Sequence, residues 1–76
     1  MDNLYFSRVT NKQYDVRKIV RIMNPQQCCF YLRKHADLLD VYTTKSLDEQ
    51  RDLLVFCFDR EATKDLYDKW CKHETD

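Results

Sequence analysis

Four cysteines, Cys28, Cys29, Cys57 and Cys71, and two histidines, His35 and His73, are the side chains of this 76-residue chain best suited to metal or nucleophile chemistry. Structural zinc sites pair their ligands as C-x2–4-C, and no such pair occurs here. Cys28 and Cys29 are adjacent, and neighbours on a helix point about 100° apart, so the two cannot both face one core position. The thiols read as ordinary core or surface groups, reduced in a cytosolic setting, and neither a metal nor another cofactor is expected. A Cys/His nucleophile pair would need an orienting third group and a donor-lined pocket, which no motif supplies.

Carboxylates offer little more. Asp37 with Asp40, and Asp59 with Glu61, are close in sequence, but capping and solvation account for both pairs. The chain has no glycine and one proline, which excludes glycine-rich phosphate loops and dinucleotide fingerprints outright. A small sheet with short helices is also expected to leave little room for a substrate pocket of a few hundred Å3. The expectation is a protein that is not an enzyme.

Binding is the remaining class, and charge suggests two ways to do it. The net charge is 0, yet residues 1–35 hold seven Lys/Arg against two acids, and residues 36–76 hold six against eleven. A mixed, solvated surface explains this, and a molecule with one basic and one acidic face is the sharper alternative. On the acidic side, Asp48, Glu49, Asp52, Asp65 and Asp68 are candidate partner-binding residues, suited to a basic groove on a protein target. On the basic side, Arg17, Arg21, Arg33 and Lys34, interleaved with Tyr5, Phe6, Tyr14, Phe30 and Tyr31, are an alternative single-strand nucleic-acid site. Neutral net charge counts against the second reading.

The elements that must position these residues are readable from periodicity. Leu53–Phe58 is six apolar residues in a row, with Leu53, Val55 and Cys57 on one face and Leu54, Phe56 and Phe58 on the other. Such a strand sits mid-sheet with cover on both sides. Asp59 caps the helix that follows, on which Ala62, Leu66 and Trp70 recur at i, i+4, i+8. Upstream, Asn24 is an N-cap, Pro25 a first helical residue and Gln27 a capping-box partner. That helix runs to about Lys34 with Cys28, Tyr31, Leu32 and His35 inward and Phe30 on the opposite side.

Residues 3–10 and Val16–Met23 read as strands, the second with Val16, Val20 and Ile22 on one face and Arg17, Ile19 and Arg21 on the other. Asn11–Asp15 reads as a polar turn. Leu38–Thr43 is a strand with Leu39 and Val41 facing one way. Ser46–Glu49, in the loop after it, has capping-box spacing and suits a single helical turn.

The order is ββαββα, or βαββα if the first segment is not a strand. The fold class is α+β: a small, mainly antiparallel sheet of three to four strands with two helices on one face. The chain makes one domain, 1–76, with 16–74 as core and 1–15 as a candidate N-terminal extension. The second face of the sheet then needs cover from the N-terminal segment, a second copy of the chain or a foreign partner. A chain this short buries only about 60% of its unfolded surface, so a homodimer is expected. No apolar run approaches the roughly 20 residues of a membrane span, and no signal peptide opens the chain.

Taken together, Asn24-Pro25-Gln26-Gln27, Leu38-Leu39-Asp40-Val41-Tyr42, Leu54-Val55-Phe56 with Phe58-Asp59-Arg60-Glu61, and the late Trp70 resemble a set of small uncharacterised proteins of phages, prophages and mobile elements of Firmicutes-like bacteria. The resemblance covers about residues 17–74. It departs at His35, where a glycine is expected to end the first helix, and in a longer 43–52 loop. It carries no catalytic residues. What it implies is a phage-type accessory protein in the bacterial host cytosol that binds a host protein, such as a CRISPR or other defence nuclease, as anti-CRISPR inhibitors do.

Overall fold

The doubly apolar stretch forms the middle strand of a three-stranded antiparallel sheet. A computed structural model describes residues 3–74, and among them the chain runs β1 (Leu4–Phe6), β2 (Gln13–Asp15), β3 (Ile19–Ile22), α1 (Pro25–Arg33), β4 (Leu38–Lys45), β5 (Asp52–Asp59) and α2 (Lys64–Cys71). The sheet order is β3-β5-β4, and β1 pairs with β2 in a separate two-stranded antiparallel hairpin. The fold is α+β, as expected, although its strands divide between two sheets.

The period-two split of β5 holds. Phe58, with Phe56 beside it, packs with Ile22 and Val20 under Cys28, Phe30 and Tyr31 of α1 and under Leu66 and Trp70 of α2. Tyr31 meets Phe58 edge-on at 5.2 Å between ring centres, the offset geometry that aromatic quadrupoles prefer. Both helices therefore lie on one face. On the other face Val55 and Cys57 join Ile19 beneath Tyr14, with Val16 and Leu39 at the margin. Tyr14 belongs to β2, so the N-terminal hairpin supplies the cover that the second face requires.

Several local expectations are corrected. Gln13–Asp15 is strand rather than turn, pairing Tyr14 with Tyr5. The next strand starts at Ile19 rather than Val16, because the Asp15 carboxylate takes the Arg17 N–H at 2.9 Å and closes an Asx turn. Val16 thereby joins the Tyr14 cluster, not the face of Val20 and Ile22. Between Leu38 and Asp40 the ladder with β5 has a bulge. The extra residue turns Leu39 towards the Tyr14 cluster, while Val41 stands opposite Phe56, so the two do not share a face.

The start of α1 is as read: Asn24 Oδ1 accepts from the Gln26 and Gln27 N–H groups at 2.9 and 3.4 Å. Gln27 completes no capping box, since its amide donates instead to the buried Tyr31 hydroxyl at 3.0 Å. Phe30 is fully buried, its ring 6.1 Å from Trp70, whereas Leu32 and His35 are exposed. The inward face is thus centred on 27, 30 and 31, because α2 brings Trp70 to that side. The helix ends on His35 at φ 67°, with His35 N–H bonded to Leu32 O and Ala36 N–H to Tyr31 O, a Schellman ending built without glycine.

Asp59 caps a turn rather than the helix. Its carboxylate accepts from Ala62 N–H at 2.8 Å, and α2 begins only at Lys64. Ala62 is exposed and the adjacent Thr63 is buried, its hydroxyl donating to Asp59 O at 2.8 Å. The β4–β5 connection is a turn, not a helical one: Glu49 N–H reaches Ser46 O at 2.8 Å and Glu49 adopts φ 57°.

Candidate binding cleft

The bulge in β4 decides what happens above the second face of the sheet. It presents Asp40 towards the hairpin, where the Ser7 hydroxyl donates to Oδ1 at 2.6 Å and the Tyr14 hydroxyl to Oδ2 at 2.6 Å. The Val41 N–H adds a third bond, to Oδ1 at 2.8 Å. Ser7 in turn accepts from the N–H groups of Val9 and Thr10 at 3.2 Å each, and the Thr10 hydroxyl donates to Leu39 O at 2.7 Å. All three members of the trio are buried. Asp37 is exposed and Lys12 lies 3.7 Å away, but Asp40 is not the solvated carboxylate expected of that pair.

Electrostatics follow from this geometry. Burial pushes the Asp40 carboxyl up, but the hydrogen bonds from Ser7, Tyr14 and Val41 outweigh it and leave the group below the ordinary carboxylate range. The Tyr14 phenol is driven well above its usual value by burial and by its bond to that carboxylate. Ser7 spends its proton on Asp40 and its lone pairs on two backbone N–H groups. The trio is therefore saturated, and what it does is pin the hairpin to β4.

Pinning the hairpin creates a cleft. A hollow of about 500 Å3 opens between hairpin and sheet, with Tyr5, Phe6, Arg8, Arg21 and Tyr42 around Asp40. A hollow of that size corrects the expectation that so small a fold leaves no room for one. Its floor is set by register. Arg21 of β3 and Asp40 of β4 both stand opposite Cys57 of β5, so a cation and a carboxylate flank the buried thiol. Burial and the Asp40 charge push that thiol up. Tyr42, two residues beyond Asp40, accepts a bond from Arg21 Nε at 3.0 Å. The rings at the mouth are open: Tyr5 is 57%, Phe6 53% and Tyr42 38% exposed.

The residues singled out from sequence are not brought together. Asp48 and Glu49 sit in the β4–β5 turn, where Asp48 accepts from the Ser46 hydroxyl and from Gln50 N–H, bonds that hold its carboxyl below the usual range. Asp52 starts β5 and pairs with Lys45 at 2.7 Å. Asp65 and Asp68 are exposed on α2, which leaves the other end of β5. Among the bases, Arg17 bonds Asp15 at 3.4 Å and Arg21 lines the cleft. Arg33 belongs to a separate hollow of about 390 Å3 beside Cys29 and Trp70, and the Lys34 ammonium stands 5.9 Å over the Phe30 ring. The sheet separates Arg21 from Arg33 and Lys34.

Sequence reading missed Ser7, Arg8, Asp40 and Tyr42 as a group. One signal was present: an acid set among apolar residues of a strand, Leu38-Leu39-Asp40-Val41, is costly unless buried with partners. Among the described residues, no cluster of three or more His, Cys, Asp or Glu side chains could hold a metal ion. Nor is any helix among them long and apolar enough to cross a membrane.

No family model, curated protein or solved structure matches the chain.

Proposed function

We propose that this protein works by binding rather than catalysis, as a small phage- or mobile-element-type protein that occupies a host protein in the bacterial cytosol and inhibits or modulates it. A CRISPR or other defence nuclease is the target class. The observation that carries the reading is the outer surface of the hairpin. Leu4 and Phe6 alternate along β1 and so share the face of the hairpin opposite Tyr5, each more than half exposed, and Val9 in its loop is 67% exposed. Apolar side chains gathered this densely on a small surface mark an interaction site. The saturated bonds of Ser7, Asp40 and Tyr14 hold that surface rigid, which lowers the entropic cost of docking.

The acidic side chains Asp48, Glu49, Asp52, Asp65 and Asp68 provide a second, charged contact region on this reading, suited to a target's nucleic-acid groove. A homodimer joined through the hairpin is the competing occupant of the apolar surface.

The test is a tagged pull-down from nuclease-treated bacterial lysate with wild type, Leu4→Asp/Val9→Asp, and an Asp48/Glu49/Asp52 triple Asn/Gln/Asn variant. One host protein retained in stoichiometric amount by wild type and lost with the hairpin variant supports the reading. Equal retention by both, or retention of nothing, overturns it. A dimer in sedimentation velocity that the hairpin variant dissolves assigns the surface to self-association instead.

A further inference from the structure

We propose that the cleft between the hairpin and the sheet binds single-stranded nucleic acid, with bases stacking on Tyr5, Phe6 and Tyr42 and with Arg8 and Arg21 meeting the phosphates. The cleft adjoins the hairpin surface given to a protein partner above and shares Phe6 and Val9 with it, but the inference does not rest on that reading.

Three observations converge. The cleft is an open groove of about 500 Å3, a volume in the range of ligand sites, and its open side leaves a strand room to pass. Its charge is one-sided where a ligand would enter: the charged side chains lining it are Arg8, Arg21 and Asp40, and both Asp40 oxygens are already turned to Ser7, Tyr14 and the Val41 N–H. Arg21 is positioned by its bond to the Tyr42 hydroxyl, which engages Nε and leaves the terminal nitrogens as donors for a phosphate. Three partly exposed rings stand around these two cations.

Rings with open faces select planar ligands. Bases in a duplex are stacked on each other and present only their edges, so an aromatic platform takes unstacked strands. Stacking tolerates any base, so the preference is for strandedness rather than sequence. An acidic peptide would satisfy the arginines and leave the ring faces without planar partners.

The experiment is fluorescence anisotropy with fluorescein-labelled oligo(dT) of about ten nucleotides, its duplex with oligo(dA), and a labelled oligoglutamate. The single strand is expected to bind and the duplex to bind far more weakly. With two phosphates engaged, affinity for the single strand falls about sevenfold between roughly 50 and 200 mM salt. Tyr42→Leu weakens binding by roughly 5- to 100-fold, while Tyr42→Phe, which keeps the ring and loses only the hydroxyl that positions Arg21, falls between Tyr42→Leu and wild type. Arg21→Gln flattens the salt dependence, and Arg33→Gln, on the far side of the sheet, changes nothing. These side chains are exposed, and thermal melting like that of wild type confirms that each variant folds. No binding of oligo(dT), equal binding of the duplex, or losses that follow Arg33 rather than Arg21 and Tyr42 overturns the proposal. Tighter binding of oligoglutamate than of oligo(dT) also overturns it and assigns the cleft to an acidic peptide.

Discussion

Tyr14 and Asp40, 26 residues apart in the chain, meet at 2.6 Å between phenol hydroxyl and carboxylate, and this bond ties the hairpin to the sheet. A two-stranded hairpin of this size is marginal in water without something to pack on. The central strand, for its part, has an apolar second face that needs cover. Each solves the other's problem, and the buried carboxylate fixes their register. An apolar pair at these positions would give burial without direction.

Removing the Tyr14 hydroxyl tests that role. A hydrogen bond to a charged acceptor contributes about 1.5–3 kcal/mol, so Tyr14→Phe is expected to lower stability by that amount. Asp40→Ala costs more, because it leaves the Ser7 and Tyr14 hydroxyls buried without an acceptor. For a domain of this size each kcal/mol lowers the melting temperature by about 4–8 °C. Differential scanning calorimetry on both variants checks the order, and a Tyr14→Phe melt equal to wild type would remove the latch from the account.

The same carboxylate makes stability depend on pH with a definite sign. Because the folded-state value of Asp40 lies below its ordinary value of 3.8, its contribution is complete above that value and is lost as pH falls through the folded one. The stability difference between wild type and Asp40→Asn should be constant near neutrality and shrink below about pH 4. Asp15 and Asp48 are also lowered, so the wild-type curve alone mixes three groups. Urea titrations of both proteins across pH 2–7 isolate Asp40, and a difference that stays constant into acid would contradict the assignment.

What sequence made legible was local and periodic. Six apolar residues in a row placed β5 in mid-sheet, and Asn24-Pro25 placed the start of α1. What it hid depends on pairs far apart in the chain. Gln13-Tyr14-Asp15 looks like a turn because its one large side chain finds its partners in β4 and β5. The bulge after Leu38 inverts the alternation that Leu39 and Val41 suggest. The cleft was invisible for the same reason. Arg8, Arg21 and Tyr42 come from the hairpin and two strands, and only register and the Asp40 bonds bring them together.

The displaced face of α1 gives a sharp contrast between neighbours. Phe30 is fully buried, while Leu32 is 43% exposed. Phe30→Ala should cost about 3–5 kcal/mol, comparable to the whole stability of a domain this small, and leave the protein largely unfolded. Leu32→Ala should cost less than about 1 kcal/mol. Circular dichroism in urea separates the two cases, and similar losses at both positions would place the inward face elsewhere.

A chain without glycine must build its left-handed positions from other residues, and it does so at Asn11, His35, Glu49 and His73. His35 is the informative one, since its φ of 67° lies at the hinge of the Schellman ending between α1 and β4. A side chain with a Cβ costs roughly 1–2 kcal/mol in that conformation, and glycine removes the cost while giving back about 0.4–1 kcal/mol as unfolded-state entropy. His35→Gly is therefore expected to raise stability by about 0.5 kcal/mol. His35→Val places a β-branched side chain at positive φ and should lower stability by more than about 1 kcal/mol. Chemical denaturation of the three proteins should rank them Gly, His, Val. A valine variant as stable as wild type would mean that the turn leaves the left-handed region and α1 ends by another route.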